Sequence, residues 1–315
     1  MILLDQRQLG ASGIIVPSLG IGTWSWGDIR FWGYGQSYTR DDISQVYRLC
    51  LNNGLNFFDT AEIYGSGESE RLLAECRRQD DRPVIVASKF APLPPRFSAH
   101  TLLDALDASL ERLGVEQIDL YQIHFPNPLF KINALMDALA EAVRAGKVRA
   151  VGVSNYNAQQ LREAHARLAR HDIPLASNQV RYSLLHRNPE TNGVLDTCRE
   201  LNIALIAYSP LEQGLLTGKY RSGEIPLPAF PRNLLRAYRH SNLEKIESLF
   251  QVMEAVAQAH GKSIGQVALN WLLAKDELII PIPGAKTPRQ VKENIGAIGW
   301  RMSTAEHTYI AQALH

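Results

Sequence analysis

The sequence predicts an α/β chain folded as a closed (β/α)8 barrel with long loops on its C-terminal face, and three observations carry this. Eight short apolar runs alternate with amphipathic stretches; the runs are apolar throughout instead of alternating; and no shift in composition divides the 315 residues. A strand that is apolar on both sides must be covered on both faces, which implies a parallel sheet with helices outside it. Eight such units in one unbroken run close into a barrel. One domain spanning 1–315 is therefore expected.

In chain order, the strands are expected within residues 14–21 (the barrel part at 17–23), 55–58, 84–87, 118–123, 148–153, 176–180, 203–207 and 278–282. Ahead of the first, Leu9-Gly10-Ala11-Ser12-Gly13 between short apolar runs reads as a hairpin that caps one end of the barrel. Between strands, apolar residues recur at three- and four-residue intervals: Leu102, Leu103, Leu106, Leu110 and Leu113 form one helical stripe, and Leu135, Leu139 and Val143 another. Thr39 before Asp41-Asp42 and Asn157 before Ala158 are helix starts, and Gly54, Gly114 and Gly146 are stops. Three segments fit no repeat: 24–38, rich in glycine and aromatics; 211–240, rich in proline and glycine; and 302–315. Long irregular segments usually serve as lids or belts over a site.

Composition narrows the function. The chain is 45% hydrophobic and 21% charged, which excludes a disordered or fibrous protein. Lys+Arg 33 against Asp+Glu 32 leaves no electrostatic footprint for nucleic acid or an anionic membrane. No run of 18 apolar residues occurs, and with Met1-Ile2-Leu3-Leu4 running straight into Asp5 and Arg7 no secretory leader is expected. Cys50, Cys76 and Cys198 are odd in number, far apart and outside any metal-ligand spacing, so buried thiols in a reduced, cytoplasmic protein are expected. The remaining histidines, such as His165, His171 and His260, lie in polar helical stretches and are expected to be solvated.

The chemistry lies where the strands end. Apolar runs close on Asp59, Lys89, His124, Ser154-Asn155, Asn178-Gln179, Tyr208-Ser209 and Gly284. In a parallel barrel these positions converge on one rim, where barrel active sites sit. Among them Asp59, Lys89 and His124, together with Tyr64 five residues beyond Asp59, form a proton-transfer set. A phenol, ordinarily near pKa 10, is a poor acid at neutral pH. A neighbouring ammonium lowers it, and a carboxylate holds the ammonium in place. Tyr64 then protonates a carbonyl oxygen gaining charge, Lys89 and Asp59 support it, and His124 orients the substrate. Such a site protonates an alkoxide but supplies no electrons, so it needs a hydride donor. Taken singly, each of the four is as readily a structural ion pair or a satisfied polar residue. Aromatics past the strand ends, Trp24, Phe90, Phe125, Tyr156 and Tyr182, are expected to build an apolar substrate mouth; Trp26, Trp32 and Tyr34 fit that role and loop packing equally.

At Leu19-Gly20-Ile21-Gly22-Thr23-Trp24, Phe58-Asp59-Thr60-Ala61-Glu62-Ile63-Tyr64-Gly65, Ser88-Lys89, Asp119-Leu120-Tyr121-Gln122-Ile123-His124, Gly152-Val153-Ser154-Asn155, Asn178-Gln179 and Ser209-Pro210-Leu211 the chain resembles the aldo-keto reductase family, from about residue 7 to residue 297. The branch it resembles includes the potassium-channel β subunits. The resemblance implies a TIM barrel that reduces small-molecule aldehydes and ketones with NADPH, with Asp59, Tyr64, Lys89 and His124 as its tetrad. It further implies that Ser154, Asn155 and Gln179 hold the nicotinamide carboxamide, that Tyr208 stacks on the ring, and that Gly22, Thr23 and Trp24 line the ring and ribose side. Ser209, Leu211, Gly214, Lys219 and Arg232 correspond to the pyrophosphate belt, and Gly284, Lys286, Gln290, Glu293 and Asn294 to the adenosine end. Lys286, with Arg289 nearby, favours NADP(H) over NAD; Gln290 stands where the steroid-metabolising branch has arginine. No metal is implied. Two alternatives fit the same residues: a lyase using Lys89 as a Schiff-base nucleophile, and an NADPH-binding regulatory subunit with slow turnover.

Overall fold

The structure is a computed structural model, and it describes residues 5–96, 98–221, 227–228, 233 and 246–313. Arg232 and most of the 211–240 segment lie outside the described residues.

β1 (Gln6–Gln8) and β2 (Ile15–Pro17) form an antiparallel hairpin around a short 3-10 turn at Gly10–Ser12. Eight parallel strands follow in sheet order equal to chain order: β3 (Ile21–Gly22), β4 (Phe57–Asp59), β5 (Ile85–Phe90), β6 (Ile118–Ile123), β7 (Val148–Ser154), β8 (Leu175–Arg181), β9 (Ala204–Tyr208) and β10 (Ile279–Pro281). The ends of the ladder meet. Gly20 N–H donates to Pro281 O at 2.9 Å, Gly22 N–H donates to Pro283 O at 3.2 Å, and Gly22 bridges Gly284. The predicted barrel is the observed architecture.

Helices alternate with the strands, beginning with α1 (Arg40–Asn52) and α2 (Glu68–Gln79). Their ends follow the local chemistry the sequence shows. Thr39 and Asn157 each close a capping box, with Asp42 and Gln160 respectively, and Gly114 ends the helix Thr101–Leu113 at φ 63°, where a side chain would be strained. Residues 302–315, expected as a loop, contain a helix at Thr304–Gln312, started by a capping box of Ser303 and Glu306. The short apolar spacing there gives little amphipathic signal, so its start is marked only by the cap.

Two apolar clusters make the core. The larger lies between sheet and helices; the smaller fills the barrel with Phe57, Ala87, Leu120, Ala150, Ala204, Ile206 and Ile280, and is closed below by Leu9, Ile14 and Val16 of the hairpin. The hairpin is therefore the expected cap. Arg7 locks it: the guanidinium donates to the carbonyls of Leu273 (2.7 Å), Asp276 (2.9 Å) and Ile279, around the C-terminal end of the helix Ile264–Lys275, and burial pulls it down to about 10.

The three cysteines are free and buried, and burial pushes the Cys76 and Cys198 thiols up to about 12 and Cys50 higher still. His171 and His260 are not solvated as expected. His171 bonds Asp137 at 2.7 Å and the Arg144 guanidinium at 2.7 Å, and His260 bonds Glu306 at 2.8 Å with its ring 4.7 Å from that of Trp300. Both knit neighbouring helices. Among the described residues no helix is long and apolar enough to cross a membrane, and no group of His, Cys, Asp or Glu is arranged to hold a metal.

Candidate active site

Side chains alternate in and out along a strand, so each apolar filler inside the barrel predicts what sits one step above it. Phe57 is followed by Asp59, Ala87 by Lys89, Leu120 by Gln122 and then His124, and Ile206 by Tyr208. The interior thus changes from apolar to polar as it rises to the C-terminal rim, and a cavity of about 540 Å³ opens there. That volume suits a small-molecule ligand.

At its floor sits an ion pair. Lys89 and Asp59 stand on the adjacent parallel strands β5 and β4, both fully buried, with Nζ 2.6 Å from Asp59 Oδ1. Lys89 spends its other protons on Thr60 O at 2.7 Å and the Tyr64 hydroxyl at 3.4 Å. Asp59 Oδ2 accepts from Gln179 at 2.7 Å and Gln122 at 3.3 Å. All three ammonium protons and both carboxylate oxygens of the buried pair are engaged, the condition under which a buried ion pair is tolerable. Burial alone would lower Lys89, but the Asp59 carboxylate and the Tyr64 hydroxyl outweigh it and hold the ammonium above the ordinary lysine range. With a folded value above 10.5, the pair contributes its stability through neutral pH and loses it only in alkali beyond that value.

Tyr64 reaches the pair from a loop fixed on both sides. Its neighbours Gly65 and Ser66 take left-handed backbone angles that turn the chain sharply into α2. Two residues earlier, Glu62 accepts from Ala91 N–H (2.7 Å) and from both terminal nitrogens of Arg96 (2.5 and 2.8 Å), tying the loop to the chain just past Lys89. The phenol is not lowered as the sequence suggested. Burial pushes it up, and the pull of Lys89 only partly offsets that. The ammonium therefore serves to stabilise the phenolate once formed, not to ionise Tyr64 at rest.

His124 stands edge-on to Tyr64, ring centroids 5.6 Å apart. Burial, reinforced by the Lys89 charge, lowers it from 6.5 to about 3, so the imidazole is neutral. A base held neutral in the folded state costs stability wherever the unfolded chain would protonate it. Stability should consequently fall as pH drops from 6.5 toward 3, and His124→Gln should flatten that limb. Thermal unfolding at about pH 7 and about pH 4 measures the difference; an unchanged gap would contradict a neutral buried His124.

The expected residues divide clearly. Gly22, Trp24, Asp59, Tyr64, His124, Phe125, Ser154, Asn155, Gln179, Tyr208, Ser209, Leu211, Gly214, Lys219, Gly284, Lys286, Gln290, Glu293 and Asn294 all line the one cavity. Lys89 lies beneath it. Six expectations fail or fall outside. Thr23 is buried, turned from the cavity to bond Asp59 O (3.0 Å) and Ser69 Oγ (2.8 Å). Phe90 follows the inward Lys89 and so points outward, packing edge-on to Phe130 at 6.2 Å. Tyr156 and Tyr182 are likewise buried in the outer core, Tyr182 against Trp271. Arg232 lies outside the described residues. Arg289 is exposed and does not line the cavity.

Other residues were missed. Gln122, fully buried on Asp59, shares the inward parity of His124, a signal the sequence carried. Phe31, likewise unnamed, stacks on Trp24 at 5.1 Å. Of the three aromatics that fitted mouth or packing equally, Trp32 lines the cavity, whereas Trp26 is core, donating to Ala285 O, and Tyr34 packs on Tyr38. The lining combines two kinds of group. Trp24, Ile63, Tyr64, His124, Phe125 and Trp32 are there with the amides of Asn155 and Gln179, and Tyr208 Oη donates to Asn155 Oδ1 at 3.1 Å. Lys219, Lys286, Gln290, Glu293 and Asn294 are there too, Lys286 Nζ donating to Trp32 O at 3.3 Å. A Cβ added to Gly284 would meet only Gly22 O at 3.7 Å, so the space left by the missing side chain belongs to the cavity and not to packing within the protein. Flat aromatic and amide groups together with cations and an open glycine fit a dinucleotide carrying phosphates.

A protein-family model described as the Aldo/keto reductase family matches residues 18–315. The chain is 40% identical over 312 residues to the chloroplastic pyridoxal reductase of Arabidopsis thaliana, covering 95% of this chain and 83% of that one. It is 34% identical over 312 residues to an aldo-keto reductase of Schizosaccharomyces pombe whose name carries the designation NADP(+), covering 95% and 88%. The crystal structure of an aldo/keto reductase from Klebsiella pneumoniae in complex with NADP and acetate is similar at a TM-score of 0.77 and 25% identity, over 98% of this chain and 94% of that one.

Proposed function

Because the chain belongs to the aldo/keto reductase family, whose members are NADP(H)-dependent oxidoreductases, we propose that it reduces aromatic aldehydes to alcohols with Tyr64 as the proton donor. When bound, NADPH supplies the hydride. The observation that carries the reading is the chain of contacts Asp59–Lys89–Tyr64 at the cavity floor, 2.6 and 3.4 Å.

Tyr64 gives its phenolic proton to the carbonyl oxygen as negative charge builds there. The phenolate left behind faces the Lys89 ammonium, which Asp59 holds in place and keeps charged. Neutral His124 offers a hydrogen bond to the same oxygen without competing as an acid. Ser154, Asn155 and Gln179 would hold the carboxamide, Tyr208 the nicotinamide face, and Gly22 and Trp24 the ring and ribose side. Ser209, Leu211, Gly214 and Lys219 would take the pyrophosphate; Gly284, Lys286, Gln290, Glu293 and Asn294 would take the adenosine end, with Lys286 matched to a 2′-phosphate. Trp24, stacked on Phe31, and Phe125 would flank a planar substrate. Pyridoxal, for which the Arabidopsis relative is named, is such a substrate.

Lys89 is a poor Schiff-base nucleophile: its three protons are engaged and its neighbours keep it charged. Three buried thiols suit a reducing compartment, and we assign the enzyme to the cytoplasm. Loss of NADPH absorbance with pyridoxal, benzaldehydes and short aliphatic aldehydes tests the reading. Turnover is expected for all three classes, with the lowest KM for the aromatic ones. Tight NADPH binding without turnover of any aldehyde would overturn it in favour of a sensor.

A further inference from the structure

The segment Ser209-Pro210-Leu211-Glu212-Gln213-Gly214 holds four residues in left-handed backbone angles: Ser209 at φ 52°, Glu212 at 46°, Gln213 at 56° and Gly214 at 96°. Three of these are not glycine, and each pays a steric penalty that the surroundings must offset. Five of the six residues line the cavity. Glu212 alone does not; it is buried beneath the loop. Its carboxylate accepts from Ser183 Oγ at 2.8 Å and from Arg181 Nε at 3.2 Å, and a further bond comes from Arg181 Nη2. Arg181 is the last residue of β8, so the anchor is the rigid barrel wall.

The loop curls on itself through Glu212 N–H to Ser209 O and Gly214 N–H to Leu211 O, 2.9 Å each, and Lys219 lines the resulting concavity beside Gly214, its Nζ 3.3 Å from where a Cβ on that glycine would lie, a cation suited to an anion. A buried carboxylate behind such a concavity would repel the anion unless its own charge were cancelled. From this we infer that Arg181, Ser183 and Glu212 form a clamp that sets the 209–214 loop for the pyrophosphate of NADP(H), with Arg181 also neutralising Glu212. The inference rests on the reading of the cavity as an NADP(H) site. The clamp residues are positioning residues; none touches the reacting atoms. The sequence gives no sign of the pair, since positions 181 and 212 lie on different βα units and meet only in the folded barrel.

The experiment measures NADPH affinity by fluorescence titration, and competition by adenosine 2′-monophosphate, which lacks the pyrophosphate. Arg181→Met exposes the loop to an uncompensated carboxylate and should raise the NADPH Kd by roughly tenfold or more. Glu212→Gln should raise it less, and the double variant Arg181→Met/Glu212→Gln should return close to Glu212→Gln. KM for NADPH should rise with Kd while kcat moves less than twofold, and the affinity for adenosine 2′-monophosphate should not change. Wild-type affinity for NADPH in folded Arg181→Met and Glu212→Gln, no recovery in the double variant, or equal weakening of both ligands would each overturn the clamp. Failure of the wild-type protein to bind NADPH would instead overturn the reading of the cavity itself.

Discussion

Replacing Tyr64 by phenylalanine should lower kcat for aldehyde reduction by about three orders of magnitude, the upper part of the range for a positioned general acid. The ring stays, so its tilted contact with Trp24 and the edge contact with His124 persist, and only the proton and one acceptor for Lys89 are lost. NADPH affinity should hold within a factor of about two, since among the described residues the hydroxyl's hydrogen-bond partner is Lys89 at the cavity floor. Steady-state rates beside a fluorescence titration of NADPH separate the two quantities. A variant with wild-type kcat would remove Tyr64 from the reaction and, with it, the proposed mechanism.

Replacing Lys89 by methionine should damage both turnover and the fold. Methionine matches the stem of lysine but donates nothing, so Asp59 Oδ1 and Thr60 O lose their donors inside the barrel. Leaving one member of a buried ion pair unmatched costs about 3 kcal/mol or more, which should appear as a lower urea midpoint with an unchanged slope. Turnover should fall by about a thousandfold as well, because the phenolate formed at Tyr64 would have no cation beside it. Adding Asp59→Asn removes the orphaned charge, and the double variant should regain stability but not turnover. Recovery of both together would mean that the pair acts only as structure, and loss of neither would contradict the buried geometry.

The contrast between those two variants reflects how the site is made. The strand ends Asp59, Lys89 and His124 were legible in the sequence because a charge closing an apolar run is locally conspicuous, and a parallel barrel sends all such ends to one rim. Gln122 was legible by the same alternation yet passed over, since it sits within its strand and not at the end. Phe90 and Tyr156 were misread for a related reason: being next to a strand end says a residue is near the rim, while the parity of the strand decides whether it faces the cavity or the helices. Tyr64 was found by spacing, but the direction of its pKa was not, because burial outweighs the nearby ammonium and burial is a property of the whole fold.

The succession of strands and helices, the capped and glycine-ended helix boundaries, the hairpin plug and the set of chemical groups at the rim are written in the chain itself, because all of them depend on neighbours a few residues apart. Which groups meet, and in what state, comes from the folded barrel. Closing the barrel between Gly20–Gly22 and residues 281–284 joins the two ends of the chain's sheet into one cavity. It also takes Lys89 and Asp59 out of water together, holds His124 neutral, and brings Arg181 under Glu212. Desolvation and long-range pairing depend on three-dimensional neighbours, and no local pattern of residues encodes them.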